Sequence, residues 1–213
     1  MTQRVVGIFG GTFDPFHLAH LRMAQAFVQE ARLSELRIIP AGEPYHRSQR
    51  CTATAGHRLA MARLGVASEP AMRVDDREVR RQVPSYTIET LEEVRAEIGA
   101  ATPLWFLIGT DSLMHLSQWK RWTELFRLAN IAVALRPGFR EEDLPVEISE
   151  QWHLRQQPAP PKQAASGTIL RLTLPPLDLS ASAIRAGLVG NADISHLVPP
   201  AIAAYIREHG LYR

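Results

Sequence analysis

His17 and His20 stand three residues apart in GGTFDPFHLAH (residues 10–20), directly behind a short run of β-branched and apolar residues. On a helix that spacing puts both imidazoles on one face, where each can donate a hydrogen bond to the same anion. Gly10 and Gly11 let main-chain amides approach a phosphate with no Cβ in the way, and Pro15 stiffens the turn before the helix. A helix N-terminus adds N–H groups without intrahelical partners and the positive end of the dipole. Phosphate handling is therefore the chemistry this segment suits. The glycine spacing matches neither GxxxxGK[ST] nor GxGxxG, which disfavours hydride transfer on a dinucleotide. A zinc pair is the other use of HxxH, but no third Cys, His or carboxylate follows at metal-site spacing.

A second phosphate device lies in LSASAIR at residues 179–185. Ser180 and Ser182 can cap a helix and bond a phosphate, and Arg185, near the end of the first turn, faces the same anion. Alone, this stretch is only a capped amphipathic helix, just as an isolated HxxH is most often a pair of helix-start histidines with solvent or packing roles.

The elements that must position these groups alternate in type. Residues 5–9 form a short apolar run ended by two glycines, as a buried strand entering a tight loop does. Helix formers follow over 17–31, then a strand over 36–40, which completes a βαβ unit. After a polar loop at 41–52 come a helix at 54–67 and a strand near 71–74. Next are a helix at 88–98, strands at 104–108 and 131–135, a last strand at 168–173, and helices at 181–188 and 199–208. Alternation of this kind predicts an α/β, Rossmann-like, doubly wound and mostly parallel sheet with helices on both faces. In such sheets ligands bind beyond the carboxyl ends of the strands, where the residue 10–20 segment stands. Residues 137–166 contain Pro158, Pro160 and Pro161 and little periodicity, so they read as a variable excursion within a single domain over 1–213.

Whole-chain properties exclude several classes. The 24 basic and 22 acidic residues are mixed along the chain, so no broad cationic face for nucleic acid is expected. Apolar residues at 46% and charged residues at 22% are near globular averages, which argues against disorder. The single Cys51 excludes an internal disulfide and matches a reducing compartment, and the N-terminal apolar run is too short for a signal peptide or membrane span. The expected location is the cytoplasm, with no membrane partner; a homo-oligomer is compatible with the sequence.

The first motif resembles the phosphate loop of the nucleotidyltransferase superfamily. Its G[ST]FDPxHxGH pattern is matched at Gly11, Thr12, Phe13, Asp14, Pro15, His17 and His20, with Ala19 in place of a usual Gly. LSASAIR is similar to the ISSTxIR signature, Ser182 replacing Thr. SYTIET at 85–90 and FLIGTDSLMHLSQWKRW at 106–122 resemble the bacterial nicotinate-mononucleotide adenylyltransferase branch, and PAGEPYHR at 40–47 is similar to its PxxxPPHK/R loop, with Tyr45 replacing a Pro. The resemblance spans nearly the whole chain and is weakest at 137–166.

That resemblance implies transfer of the adenylyl group of ATP to nicotinate mononucleotide, releasing pyrophosphate, with Mg2+ carried by ATP and no protein metal site. It implies catalytic roles for His17, His20 and Arg185. ATP would be bound by Gly10, Gly11, Thr12, Phe13, Gly109, Asp111, Ser180 and Ser182. The mononucleotide would meet Gly42, His46, Arg47, the backbone of Thr87 and Lys120, and the ring of Trp119. The alternatives are another transferase of the superfamily, such as one acting on phosphopantetheine, and a non-catalytic nucleotide-binding regulator.

Overall fold

The computed structural model describes residues 4–42, 52–136, 138–161, 164–173 and 179–213. Along the chain run β1 (Val6–Gly11), α1 (Leu18–Glu30), β2 (Glu35–Pro40), α2 (Ala55–Gly65), β3 (Met72–Val74), α3 (Arg77–Arg80), α4 (Thr87–Ile98) and β4 (Leu104–Gly109). These are followed by α5 (Thr110–Met114), α6 (Leu125–Leu128), β5 (Asn130–Ala134), α7 (Val146–Arg155), β6 (Gln156–Gln157), β7 (Ile169–Leu172), α8 (Ala181–Val189) and α9 (Pro200–Glu208). The strands form a seven-stranded sheet in the order β3-β2-β1-β4-β5-β7-β6. β1 runs parallel to β4 with Val6 opposite Leu104, β4 to β5 with Phe106 opposite Ile131, and β7 is parallel to both β5 and β6. The expected doubly wound α/β architecture is thus the one found. Among the described residues no helix is long and apolar enough to cross a membrane.

Contacts gather the chain into two compact units interleaved in sequence. One comprises Met1–Phe9, Gln25–Leu36 and Tyr86–Pro176; the other comprises Gly10–Ala24, Arg37–Ser85 and Leu177–Arg213. In the first, the run Leu104–Ile108 is buried throughout, which a strand covered on both faces requires. Leu91 and Val94 of α4 are equally buried, and Gly7 has no room for a Cβ because Leu33 and Phe27 occupy that space. Asn130 ties this unit together with its amide: Nδ2 donates to the carbonyls of Leu104 and Ala164, and Oδ1 accepts from Thr168. In the second, Phe16, Met61, Ile202 and Ile206 are fully or nearly fully buried, and Gly65 of α2 makes room for the Phe16 ring.

The stretch 137–166 contains structure that its sequence pattern does not reveal. A ten-residue helix, α7, lies within that stretch, with Ile148 and Trp152 buried four residues apart, and β6 then joins the sheet beside β7. Two anchors one turn apart are too few to create a visible period. The exposed apolar Val146 and Leu154 on the same helix blur it further.

Candidate active site

The strand β1 ends in Gly10 and Gly11, and the chain then turns through Thr12–Phe16 into α1. The Phe13 backbone is left-handed at φ 53, a conformation that costs a bulky residue about 1–3 kcal/mol and persists only where packing enforces it. Here the ring is buried, tilted against Phe16 at 5.4 Å and edge-on to His20 at 5.0 Å. A Cβ on Gly11 would meet that ring at 2.8 Å, so glycine at 11 is demanded by Phe13 itself.

His17 immediately precedes α1, and its carbonyl accepts from Leu21 N–H at 3.1 Å, so it is the N-cap. His20 is the third helical residue, and its Nδ1 accepts from the His17 backbone N–H at 3.3 Å. This is the reach-back half of a capping box, with imidazole in the place of a carboxylate. It puts the proton of neutral His20 on Nε2. The two rings stack at 3.7 Å and 19°, so they are held as a pair. Burial lowers the His17 imidazole from 6.5 to about 4, and burial followed by the nearby His17 holds His20 well below 6.5 as well. Both rings are therefore neutral donors at pH 7. His17 Nδ1 is buried without a hydrogen-bond partner among the described residues.

Asp14, three residues before His17 in the chain, is a hydrogen-bonding hub. Its carboxylate is buried and accepts from Tyr212 Oη–H at 2.7 Å, Thr52 N–H at 2.7 Å and Ala53 N–H at 3.2 Å. Burial, then the bond to Asp14, pushes the Tyr212 phenol above its ordinary range, which keeps it a donor. The Asp14 carbonyl accepts from Arg185 Nη1 at 2.7 Å, and Arg185 Nη2 donates to Ser182 Oγ at 3.2 Å. Ser180 caps α8, its Oγ accepting from Ala183 N–H at 3.1 Å. Thus the two motifs meet through Arg185 and Asp14, which are 171 residues apart in the chain.

Arg58, on the first turn of α2, is fully buried and donates to the carbonyls of Thr12 at 2.9 Å, Ala41 at 2.7 Å, Gly42 at 2.9 Å and Ala53 at 3.3 Å. Gly42 is also tight against the Glu78 carbonyl, which a Cβ would approach to 2.4 Å. His46, Arg47, Tyr45 and Cys51 lie outside the described residues.

The remaining expected residues belong to the other unit. Gly109 ends β4 and caps α5, and the exposed Asp111 on the first turn of α5 pairs with Arg136 at 2.8 Å. Thr87 is the first residue of α4, so its N–H has no partner within the helix. The Trp119–Trp122 turn is tied to that helix start by Lys120 Nζ, 2.7 Å from Glu89 and 4.1 Å from the Tyr86 ring centre, and by Arg121 with Glu92 at 2.9 Å. Thr87 and Lys120 are thereby brought into one neighbourhood. Trp119 is half-buried beside Phe106 at 6.2 Å.

Three residues of the first unit's counterpart had no role assigned from sequence: Asp14, Arg58 and Tyr212. Asp14 stood in plain view within the FDP motif. Arg58 carried no local signal, and nothing near Tyr212 in the chain points to a carboxylate 198 residues away. Among the described residues no group of three His, Cys, Asp or Glu side chains is placed to hold a metal ion.

The cytidylyltransferase-like family matches residues 8–187. A protein of Chromobacterium violaceum named probable nicotinate-nucleotide adenylyltransferase is 55% identical over 98% of both chains, and one of the same name from Laribacter hongkongensis is 46% identical over 98% of this chain and 94% of its own. The solved Plasmodium falciparum nicotinic acid mononucleotide adenylyltransferase complexed with NaAD is similar in fold, with a TM-score of 0.74 at 16% identity over 99% of this chain and 98% of that one. The chain belongs to the cytidylyltransferase-like family and, within it, to the nicotinate-nucleotide adenylyltransferases.

Proposed function

We propose that this protein, working in the cytoplasm, transfers the adenylyl group of magnesium-bound ATP to nicotinate mononucleotide, giving nicotinate adenine dinucleotide and pyrophosphate. The observation that carries the reading is the stacked His17–His20 pair at the start of α1, on the same segment as Asp14, whose carbonyl holds Arg185. Family membership supplies the reaction class, and these side chains are of the kinds that such a reaction uses.

The nucleophile is the substrate's own phosphate, a monoester with second pKa near 6 and so largely dianionic at pH 7. One of its oxygens bonds to the α-phosphorus of ATP while the bond from that phosphorus to the bridging oxygen breaks. The electron pair leaves on pyrophosphate, so no protein base is required. The protein's share is alignment and charge neutralisation. Nε2–H of His20, set by the main-chain bond to its Nδ1, and the His17 ring donate toward the phosphates, His17 at the α-phosphoryl group. Arg185, anchored by two of its five N–H donors, stabilises the departing β- and γ-phosphates. Gly10, Gly11, Thr12 and Phe13 line the triphosphate, Ser180 and Ser182 flank it, and Gly109 and Asp111 hold the ribose. The N–H groups of Thr87 and Lys120 take the nicotinate carboxylate, with the Trp119 ring against the base. Gly42 lies on the mononucleotide loop. Magnesium, carried by ATP, would help neutralise the triphosphate charge, and no protein carboxylate would be needed to hold it.

Pyrophosphate release measured with ATP, magnesium and separately nicotinate mononucleotide, nicotinamide mononucleotide or phosphopantetheine tests this. Release chiefly with the nicotinate form is expected; release only with another acceptor would overturn the substrate assignment. His17→Ala should lose on the order of 10²-fold in kcat, as when one transition-state donor is removed.

A further inference from the structure

Arg58 is a fully buried cation whose four hydrogen bonds described above all end on main-chain carbonyls, and those carbonyls belong to three separate segments. Thr12 lies on the loop after β1, Ala41 and Gly42 on the loop after β2, and Ala53 just ahead of Thr54, the N-cap of α2. The first two loops are already joined by Ala41 N–H to the Gly11 carbonyl at 2.9 Å. Ala53 closes the circuit, since its N–H goes to Asp14 while its carbonyl goes to Arg58.

A trans peptide points its N–H opposite to its carbonyl. With the Thr12 and Ala41 carbonyls turned toward Arg58, the N–H groups of Phe13 and Gly42 face away from it. We propose that Arg58 is a positioning residue that presents the main-chain amides of both substrate-phosphate loops at once, the ATP loop at 10–13 and the mononucleotide loop at 41–42. This rests on the adenylyl-transfer reading above. The guanidinium suits the task because its planar fork sends donors to several carbonyls in fixed directions. An ammonium of similar charge cannot reproduce that geometry. Arg58 touches no substrate; it sets the frame on which two anions are received, and its permanent charge behind both loops favours anions in each.

The test compares wild type with Arg58→Lys and Arg58→Met, reading kcat, the KM for ATP, the KM for nicotinate mononucleotide and the thermal midpoint. The expected result for folded Arg58→Lys is a rise of about tenfold in both KM values, with Arg58→Met worse on each. A variant with a lowered midpoint but both KM values within twofold of wild type would overturn the proposal and leave Arg58 a stabilising residue. A rise in one KM alone would overturn the claim that it serves both loops. Should neither variant fold, wild-type amide exchange decides: binding of a non-hydrolysable ATP analogue, without mononucleotide, should slow exchange at residues 41–42, and unchanged exchange there counts against the idea. Wild-type turnover with each acceptor keeps the two readings apart. If another phosphate acceptor proves to be the substrate, the same KM comparison is made with that acceptor; if none is used, calorimetric affinity for ATP replaces it.

Discussion

Acid should destabilise this protein by an amount that follows from the burial of His17. In the unfolded chain its imidazole titrates near 6.5, and in the fold burial lowers it to about 4. Between those values the unfolded state binds a proton that the folded state does not. Stability is therefore intact above about pH 6.5 and is lost as pH falls toward 4. At about 1.36 kcal/mol per pKa unit the loss at pH 4 comes to roughly 3 kcal/mol from His17. His20, shifted in the same direction, deepens it. An unfolding entropy of roughly 2.1 cal/mol/K per residue over 213 residues turns 3 kcal/mol into a fall of about 7 °C in Tm. The assay is calorimetric melting of wild type and His17→Asn at pH 7, 5.5 and 4. Asn keeps a polar group near the Nδ1 position and cannot titrate there. The wild-type Tm should fall between pH 7 and 4 by about 7 °C more than that of the variant. Parallel curves would refute the argument that burial holds this ring neutral, and a steeper fall in the variant would reverse its sign.

Tyr212→Phe removes the phenol that donates to the buried Asp14 carboxylate at 2.7 Å, and should cost about 2 kcal/mol, or roughly 4–5 °C in a melting scan; an unchanged Tm would show that the bond contributes nothing net. Gly65→Ala drives a Cβ to 2.4 Å from the buried Phe16 ring and should destabilise by about 1–3 kcal/mol in urea unfolding, despite the better helix propensity of alanine. Trp119→Ala should raise the KM for nicotinate mononucleotide about tenfold or more, the usual effect of losing a stacking ring, while leaving the KM for ATP within about twofold. Equal changes in both would take the ring away from the nicotinate.

Much of the framework was legible along the chain because it is encoded locally. The run at 104–108 is apolar throughout, and it proved to be the buried strand β4 with Leu104, Trp105 and Phe106 all in the core. Ser180 before an apolar-periodic stretch announced the cap of α8. Helix α7 escaped notice, since only Ile148 and Trp152 anchor it and their period is too short to read. The short helices α3, α5 and α6, of four or five residues each, offered too few turns to show a pattern at all.

Residue types and short spacings were enough to specify the alternation of strands and helices, the two phosphate motifs and the transferase family they point to, because backbone propensity, capping and periodicity act over a few neighbours. Chain order alone could not tell that His20 would reach back to the His17 amide and fix its own tautomer, or that burial would keep both rings neutral. Nor could it tell that Asp14 would gather Arg185, Tyr212 and the approach to α2, or that Arg58 would bind the carbonyls of two loops. These depend on desolvation and on hydrogen bonds between groups as many as 198 residues apart, which exist only once the chain has packed.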